Sequence, residues 1–594
     1  MPTYQAPVRD MLFVFYELHG GEAVRELPGF EELDQETLES ILLEAGRFVS
    51  EQLLPINRSG DEASCQWREG RVSTPDGFKE AYRDFVQAGW NSIAFDPVYG
   101  GQGLPKSLHM LVDEMICACN LSFSLYPGLT NGAWGALETY AEQALKELYL
   151  PRLASGEWSG TMCLTEPHCG SDLGLLRTRA EPQEDGSYRI TGSKIFITAG
   201  EHDLTDNIVH LVLARTPDAP AGIKGISLFV VPKILPQEDG GLGEPNSLEC
   251  GAIEHKMGIK ASATCVLNFD AAKGWLVGEL NKGMRCMFKM MNTERLATGI
   301  QGLGIAEAAY QNAVAYAHER LQGRSPLGRQ KPEAPADPLT VHPDVRRMLL
   351  TMRALTEGCR ALSVRVAQQL DVAAHCADPT KRQRADDLVA LLTPVVKAFF
   401  TDTGFEVANL GMQVFGGHGY IREHGMEQLV RDARIGQLYE GTNGVQAMDL
   451  AGRKLPMADG NMIEIFLAPA RDYLTSKQGD AALAEFTSPL AAAAQRLEKA
   501  AHTLLRRASE NPAETGAAAS DFLQLFGLTA LAFEWARMAE IGLSRDGGDE
   551  ALFYSAKVHT ARFFMQRILP RSEAHYQAID AGGDCMMDFD DRAW

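Results

Sequence analysis

The chain has 594 residues, 45% of them hydrophobic, with 56 Lys and Arg against 78 Asp and Glu. That length exceeds the roughly 250–300 residues that one core supports, so several packed domains are expected. A formal net charge of −22 and a pI near 5.2 exclude a protein whose main work is gripping nucleic acid or an anionic membrane.

Residues 1–37 read as an N-terminal extension whose aromatic side chains cover another part of the protein. Its apolar run, Met11-Leu12-Phe13-Val14-Phe15-Tyr16, is short and has no small-residue cleavage site after it. It reads as neither signal peptide nor membrane span. Residues 38–158 read as a helical domain, with Leu42, Ala45, Val49 and Leu53 at helical spacing, as are Phe78, Tyr82, Phe85 and Ala88. Between these helices Tyr99-Gly100-Gly101-Gln102-Gly103 marks an irregular loop.

The period changes near residue 159. Runs such as Ile208-Val209-His210-Leu211-Val212-Leu213 and Ile226-Ser227-Leu228-Phe229-Val230-Val231, split by Gly, Pro and Asp clusters, predict a β domain over 159–282. Helical spacing resumes over 283–456, through Ile305, Ala309, Ala313 and Ala317, with a polar insert at 328–335 read as a surface loop. A further helical unit, 457–594, carries Leu490, Ala494, Leu497, Ala501 and Leu504 but no catalytic constellation. Packing or assembly is its expected role. The 11 cysteines include no Cys-x-x-Cys pair and read as reduced, buried thiols of a cytoplasmic protein, with no metal site.

Three segments carry chemistry. Tyr439-Glu440-Gly441-Thr442 places one carboxylate beside a glycine that lets a ligand approach the backbone. A carboxylate desolvated by such a ligand gains proton affinity and suits a general base, although the same segment alone also reads as a solvated turn. Cys163-Leu164-Thr165-Glu166-Pro167-His168-Cys169-Gly170-Ser171-Asp172 offers N–H and O–H donors to a heterocycle and its phosphates, or is a capped turn. Gly192 to Gly200 reads as a strand with Phe196 and Thr198 on one face, suited to flanking a ring or simply amphipathic.

In order and spacing these pieces, with Glu254-His255-Lys256-Met257-Gly258-Ile259, Tyr316-Ala317 with Arg320, and Gln413 through Tyr420, resemble the acyl-CoA dehydrogenase family over residues 40 to 455. The resemblance implies an α+β multidomain flavoprotein: a helical N-terminal domain, a middle β domain and a helical bundle, here followed by the extra helical unit. It implies FAD between the β domain and the bundle, with Leu164, Thr165, Gly170 and Ser171 on the flavin side, Phe196 and Thr198 flanking it, and Thr442 meeting it. Arg320, Gln413, Gly416 and Gly417 would reach the FAD of a partner subunit. Ser171, Asn292, Arg295, Tyr439 and Gly441 would contact the acyl-CoA substrate, Arg295 near the CoA moiety.

The reaction implied is α,β-dehydrogenation of an acyl-CoA in fatty acid β-oxidation, with Glu440 removing the α-proton and the β-hydrogen leaving as hydride to flavin N5. The backbone N–H of Glu440 and a ribityl hydroxyl would stabilise the developing enolate. Three positions depart from the common pattern: Phe196 where many relatives have Trp, Leu321-Gln322-Gly323 after Arg320, and Gly444 where some carry glutamine. Glu294, in Asn292-Thr293-Glu294-Arg295, is the alternative base used by a minority of the family; its other reading is an acid at a helix N-terminus. Gly302-Leu303-Gly304 lies in a helical pattern, follows no strand and is not read as a dinucleotide fingerprint.

The two ends resemble a long bacterial branch of the family, some of whose members act on sulfur-containing acyl chains. The extra unit then implies a homodimer, reoxidised by electron-transfer flavoprotein. An oxidase passing electrons to oxygen is the alternative. A nucleic-acid-associated relative relies on a basic C-terminal region, whereas residues 461–594 carry more Asp and Glu than Lys and Arg. Acyl-chain length is not legible, since the pocket depends on backbone positions around segments such as Tyr126-Pro127-Gly128-Leu129.

Overall fold

The computed structural model describes residues 2–237, 240–545 and 547–594. They fall into two units: one of residues 47–104 and 119–297, the other of residues up to 46, 105–118 and 298–594.

The first unit holds the β structure. A hairpin, β1 (Gln66–Arg68) and β2 (Arg71–Ser73), turns on Glu69 and Gly70, both at positive φ (48° and 80°), the backbone that a two-residue hairpin loop needs. The sequence pattern has only helices here, because three-residue strands leave no period to detect. The strands β3 (Trp158–Cys163), β4 (Arg179–Pro182), β5 (Tyr188–Thr198), β6 (Asn207–Ala214) and β7 (Ser227–Pro232) are joined by a short pair, β8 (Ile234–Pro236) and β9 (Leu242–Pro245), and by β10 (Leu248–Ile253) and β11 (Thr264–Val277). The seven-stranded sheet runs β3-β6-β7-β11-β5-β4, with β10 beside β11. β3 and β6 are parallel; the other pairs are antiparallel.

The unbroken apolar runs of β6 and β7 are buried along their whole length, as expected of strands covered on both faces. One cover is the helix Leu121–Tyr140. A Cβ on Gly160 of β3 would lie 2.4 Å from the Ala133 methyl carbon, so only glycine lets this helix approach so closely. Trp158, Leu211, Leu228, Val230 and Leu137 form part of the core between them.

The second unit is helical. Pro343–His375 and Pro379–Phe415 are its longest complete helices, and Asp378 caps the second by accepting from the Thr380 N–H at 2.8 Å. The helix Gly283–Glu319 belongs to this unit from residue 298 onward. Gly302 and Gly304 lie inside it, as the sequence pattern expects. A Cβ at Gly302 would meet the Phe400 carbonyl oxygen at 2.5 Å, and one at Gly304 the Glu114 carbonyl oxygen at 2.7 Å. These glycines serve helix contact. Ala484–Glu510, Ala513–Ser544 and Ala551–Phe563 dominate the C-terminal part.

The N-terminal segment packs on that C-terminal part, as its aromatic content predicts. Phe13 is fully buried, its ring 5.4 Å from that of Phe553 in an edge-on contact. The same region holds a buried ion cluster. Arg360 donates to Asp10, Glu114 and Glu307, each at 2.5 Å. Lys557 donates to Glu357 at 2.7 Å and also to Asp10, and Arg353 donates to Glu357 at 2.7 Å.

Three cations thus face four carboxylates, so one proton is favoured. Burial, opposed by Arg360 and reinforced by Glu307 and Asp10, pushes the Glu114 carboxyl up to about 7. At Asp10 burial also opposes the charge, yet Lys557 and Arg360 hold the carboxyl at about 2. A folded-state value for Glu114 above its ordinary 4.5 means the folded protein binds the extra proton, and stability falls as pH rises from about 4.5 to about 7. That slope, at most about 1.4 kcal/mol per pH unit for one proton, disappears in Glu114→Gln. Denaturant midpoints measured at steps from pH 5 to 8 test this; an unchanged slope in the variant removes the assignment.

Candidate active site

The sequence-predicted site residues fall into two sets, one in each unit. In the β unit the first is the loop after β3. Glu166, 3% exposed, accepts from the Arg177 N–H at 2.8 Å, the Thr178 N–H at 3.0 Å and the Thr178 hydroxyl at 2.6 Å. Lys194, fully buried on β5, donates to Glu166 at 2.9 Å and to the Leu164 carbonyl at 3.0 Å. The Ile195 N–H donates to the Thr165 carbonyl at 2.9 Å. Burial disfavours the Glu166 charge, but Lys194 and these hydrogen bonds hold its carboxyl below the ordinary range.

The effect is to tie Leu164 and Thr165 to β5 while Gly170 and Ser171 stay exposed. Glu166, His168 and Cys169 bring ligand atoms within 4.8 Å of one another. The Glu166 oxygens are already committed to Lys194 and Thr178, and His168 Nε2 lies 3.0 Å from the Leu175 carbonyl.

β5 is not the regular strand expected. Its register with β11 passes from Cys265↔Ile197 to Leu267↔Lys194, so Ile195 and Phe196 together oppose Val266. Phe196 takes the left-handed backbone at φ 59°, a bulge that re-aims its side chain. Its ring is 58% exposed, while Ile197 is buried and Thr198 half-buried. Nothing in the sequence marks this, because phenylalanine is not a residue that favours positive φ.

Asn292 to Arg295 do not open a helix. Gly283–Glu319 begins nine residues before Asn292, so a helix-terminus role for Glu294 is corrected: it lies well inside, beyond the first turn where end effects act. Asn292 is exposed, whereas Glu294 and Arg295 are 4% and 5% exposed. Arg295 Nη1 donates to Asn292 Oδ1 at 3.3 Å, and its guanidinium lies 5.8 Å from the Phe288 ring centre.

In the helical unit, Glu440 follows the short turn Arg434–Gln437 and precedes the helix Asn443–Met448. It is half-buried and has φ 56°, and Gly441 follows at φ 84°. For glutamate that backbone costs on the order of 1–3 kcal/mol and persists only where surroundings impose it. Gln446, fully buried, donates to the Glu440 carbonyl at 3.2 Å. Tyr439 donates its hydroxyl proton to Gln301, and the Thr442 hydroxyl caps the next helix by accepting from the Val445 N–H at 3.2 Å.

Arg320 and the Gln413–Gly417 run are brought to one region. Tyr316 stacks on Phe415 with ring centres 4.0 Å apart and shares a 2.9 Å hydrogen bond with His418 Nδ1. Arg320, Gln413, Gly416 and Gly417 are all exposed.

A planar cofactor with phosphates needs an apolar ring to lie against, donors, and backbone it can approach. The exposed Phe196 ring supplies the first and the Thr165 to Ser171 loop the second. Gly170 is exposed, and a Cβ there would meet only the Thr165 methyl group at 3.4 Å, so the backbone of that loop can be approached. The residues present fit a flavin dinucleotide.

The fold and these residues are those of an FAD-dependent oxidoreductase. The chain belongs to the acyl-CoA dehydrogenase family: models for the family's N-terminal domain, middle domain and C-terminal domain match residues 35–157, 161–272 and 281–455, and an acetyl-CoA dehydrogenase C-terminal-like model matches 461–590. It is 45% identical over 590 residues to 3-methylmercaptopropionyl-CoA dehydrogenase of Ruegeria pomeroyi, covering 98% of this chain and 99% of that one. It is 33% identical over 616 residues to the broad-specificity linear acyl-CoA dehydrogenase FadE5 of Mycobacterium tuberculosis, covering 100% of both. In fold it is similar to an acyl-CoA dehydrogenase from Bacillus anthracis solved with FAD, with a TM-score of 0.75 at 22% identity over 94% of this chain and 90% of that one.

The Lys194–Glu166 pair gives a direct test. Lys194→Met leaves a buried carboxylate without its cation, which costs about 3–5 kcal/mol. Urea unfolding should show that loss, together with weaker retention of FAD, and the double variant with Glu166→Gln should recover part of it.

Proposed function

We propose that this chain removes hydrogen across the α,β-bond of a saturated acyl-CoA, giving the trans-2-enoyl thioester, with Glu440 as the base. The observation that carries the reading is the Glu440 turn, where positive φ at residues 440 and 441 sets one half-buried carboxylate in a strained backbone.

Glu440 takes the proton from the α-carbon. An α-proton of a thioester is weakly acidic, so the carbonyl oxygen needs donors aimed at the charge that develops on it; we assign the Glu440 backbone N–H to this task. FAD, when bound, supplies the acceptor for the hydride that leaves the β-carbon. Leu164, Thr165, Gly170, Ser171, Phe196, Thr198 and Thr442 are assigned to hold it. Ser171, Asn292, Arg295, Tyr439 and Gly441 are assigned to the acyl-CoA.

For the acyl group, 45% identity to a 3-methylmercaptopropionyl-CoA dehydrogenase over nearly the whole chain favours that thioester, with short unbranched acyl-CoAs of fatty acid β-oxidation as the second reading. The two chains are of similar length, and an apolar slot separates them weakly. We assign electron-transfer flavoprotein as the oxidant and a cytoplasmic setting, consistent with eleven cysteines of which none forms a disulfide. Arg320, Gln413, Gly416 and Gly417, exposed together, are assigned to the cofactor of a second subunit in a homodimer.

The test is anaerobic bleaching of flavin absorbance by acyl-CoAs from short to long, 3-methylmercaptopropionyl-CoA included. Bleaching is expected for a subset, and Glu440→Gln should slow it by about 10²–10⁴-fold while FAD stays bound. A variant that bleaches as fast as wild type moves the base to Glu294. Hydrogen peroxide formed at the turnover rate in air would show an oxidase instead.

A further inference from the structure

We propose that Gln524, on the helix Ala513–Ser544 of the C-terminal helical region, is a positioning residue for Glu440, acting through Asp402. The proposal rests on Glu440 being the base.

The Glu440 turn is gripped on both sides by one carboxylate. Asp402 Oδ1, on the helix Pro379–Phe415, accepts from Gln437 Nε2 at 2.8 Å and from Asn443 Nδ2 at 2.7 Å. These two residues stand three before and three after Glu440. Asn443 is further held by Lys397, whose Nζ donates to Asn443 Oδ1 at 2.9 Å, and its Nδ2 also donates to Thr401 Oγ1 at 3.0 Å. Gln524 Nε2 donates to the other Asp402 oxygen, Oδ2, at 2.7 Å. A catalytic turn in a costly backbone conformation is therefore clamped to a carboxylate that the C-terminal region completes.

The clamp, with three amide donors on it, is strongest when Asp402 is ionised. Burial pushes its carboxyl above the ordinary range, and Asn443, Gln437, Gln524 and the charge of Lys397 oppose that push. Three amide donors bind the carboxylate more strongly than the neutral acid, and a protonated carboxyl turns one oxygen into a donor. Losing Gln524 leaves Oδ2 without this donor in a largely buried place, which favours protonation or rotation of Asp402 and loosens both grips on the turn. A displacement of about 1 Å in a reacting group can cost up to about a hundredfold in rate.

The experiment compares Gln524→Leu, Gln524→Glu and Glu440→Gln as FAD-loaded full-length proteins, reading kcat and KM from pH 6 to 9. Gln524→Leu should lower kcat about tenfold, most strongly at the low-pH end where Asp402 then takes up a proton, with KM nearly unchanged. Gln524→Glu should approach wild type at low pH, where the introduced carboxyl keeps a proton and donates to Asp402. As pH rises the two carboxyls must both ionise and repel, so its kcat should fall relative to wild type. A residue that merely stabilises the fold gives no such profile.

Wild-type kcat in Gln524→Leu, or a Gln524→Glu profile parallel to wild type, overturns the proposal. If Gln524→Leu does not retain FAD, the Gln524→Glu profile decides. Full activity in Glu440→Gln defeats the base assignment itself, whereas an inactive Glu440→Gln beside fully active Gln524 variants defeats only the positioning role.

Discussion

The helical unit is organised around one guanidinium. Arg360 is 1% exposed and carries three carboxylates from far-apart parts of the chain: Asp10 near the N-terminus, Glu114 from a segment some 250 residues earlier, and Glu307. Lys557 extends the cluster into the last helices by sharing Asp10. Charges so buried contribute little net stability against an apolar replacement of the same shape, but breaking one partner away is costly. Their effect is therefore one of register: N-terminal segment, bundle and C-terminal helices must meet correctly or leave a charge stranded.

The same logic recurs on a smaller scale at both parts of the candidate site. Lys194 and Glu166 fix the loop that presents Thr165 and Ser171, and Asp402 fixes the turn that presents Glu440. In each case the buried charge is bound to groups of the protein itself. It satisfies backbone and amide groups of a segment that would otherwise take one of several conformations, at a cost in desolvation that hydrogen bonds offset.

What was legible in the sequence follows from how far each signal reaches along the chain. Helical spacing and apolar strand runs are local, so the order of helical and β regions could be read, and the central strands fall within a residue of where the runs of residues 208–213 and 226–231 place them. The motif residues were legible because the resemblance lay in their order. The backbone at Phe196 and Glu440 was not, since positive φ in a phenylalanine or a glutamate is imposed by neighbours and is foreign to the residue's own preference. The helix-terminus reading of Glu294 fails because the helix begins at Gly283, where the helical spacing itself resumes, and Glu294 lies well inside it. The Asp402 clamp joins residues separated by 35, 41 and 122 positions, and no period or spacing signals such a contact.

The extra C-terminal helices gain a reason for their place from this. A unit with no catalytic constellation of its own can still set a rate if it supplies the last hydrogen bond to a strained turn, because the conformational cost at Glu440 is comparable to the worth of one such bond, about 1.5–3 kcal/mol for a donor to a charged group. Effects of that size tip the turn between ordered and disordered without unfolding the bundle around it. Loss of the bond would then appear in proton abstraction before it appears in global stability, which is how a positioning role separates from a packing role.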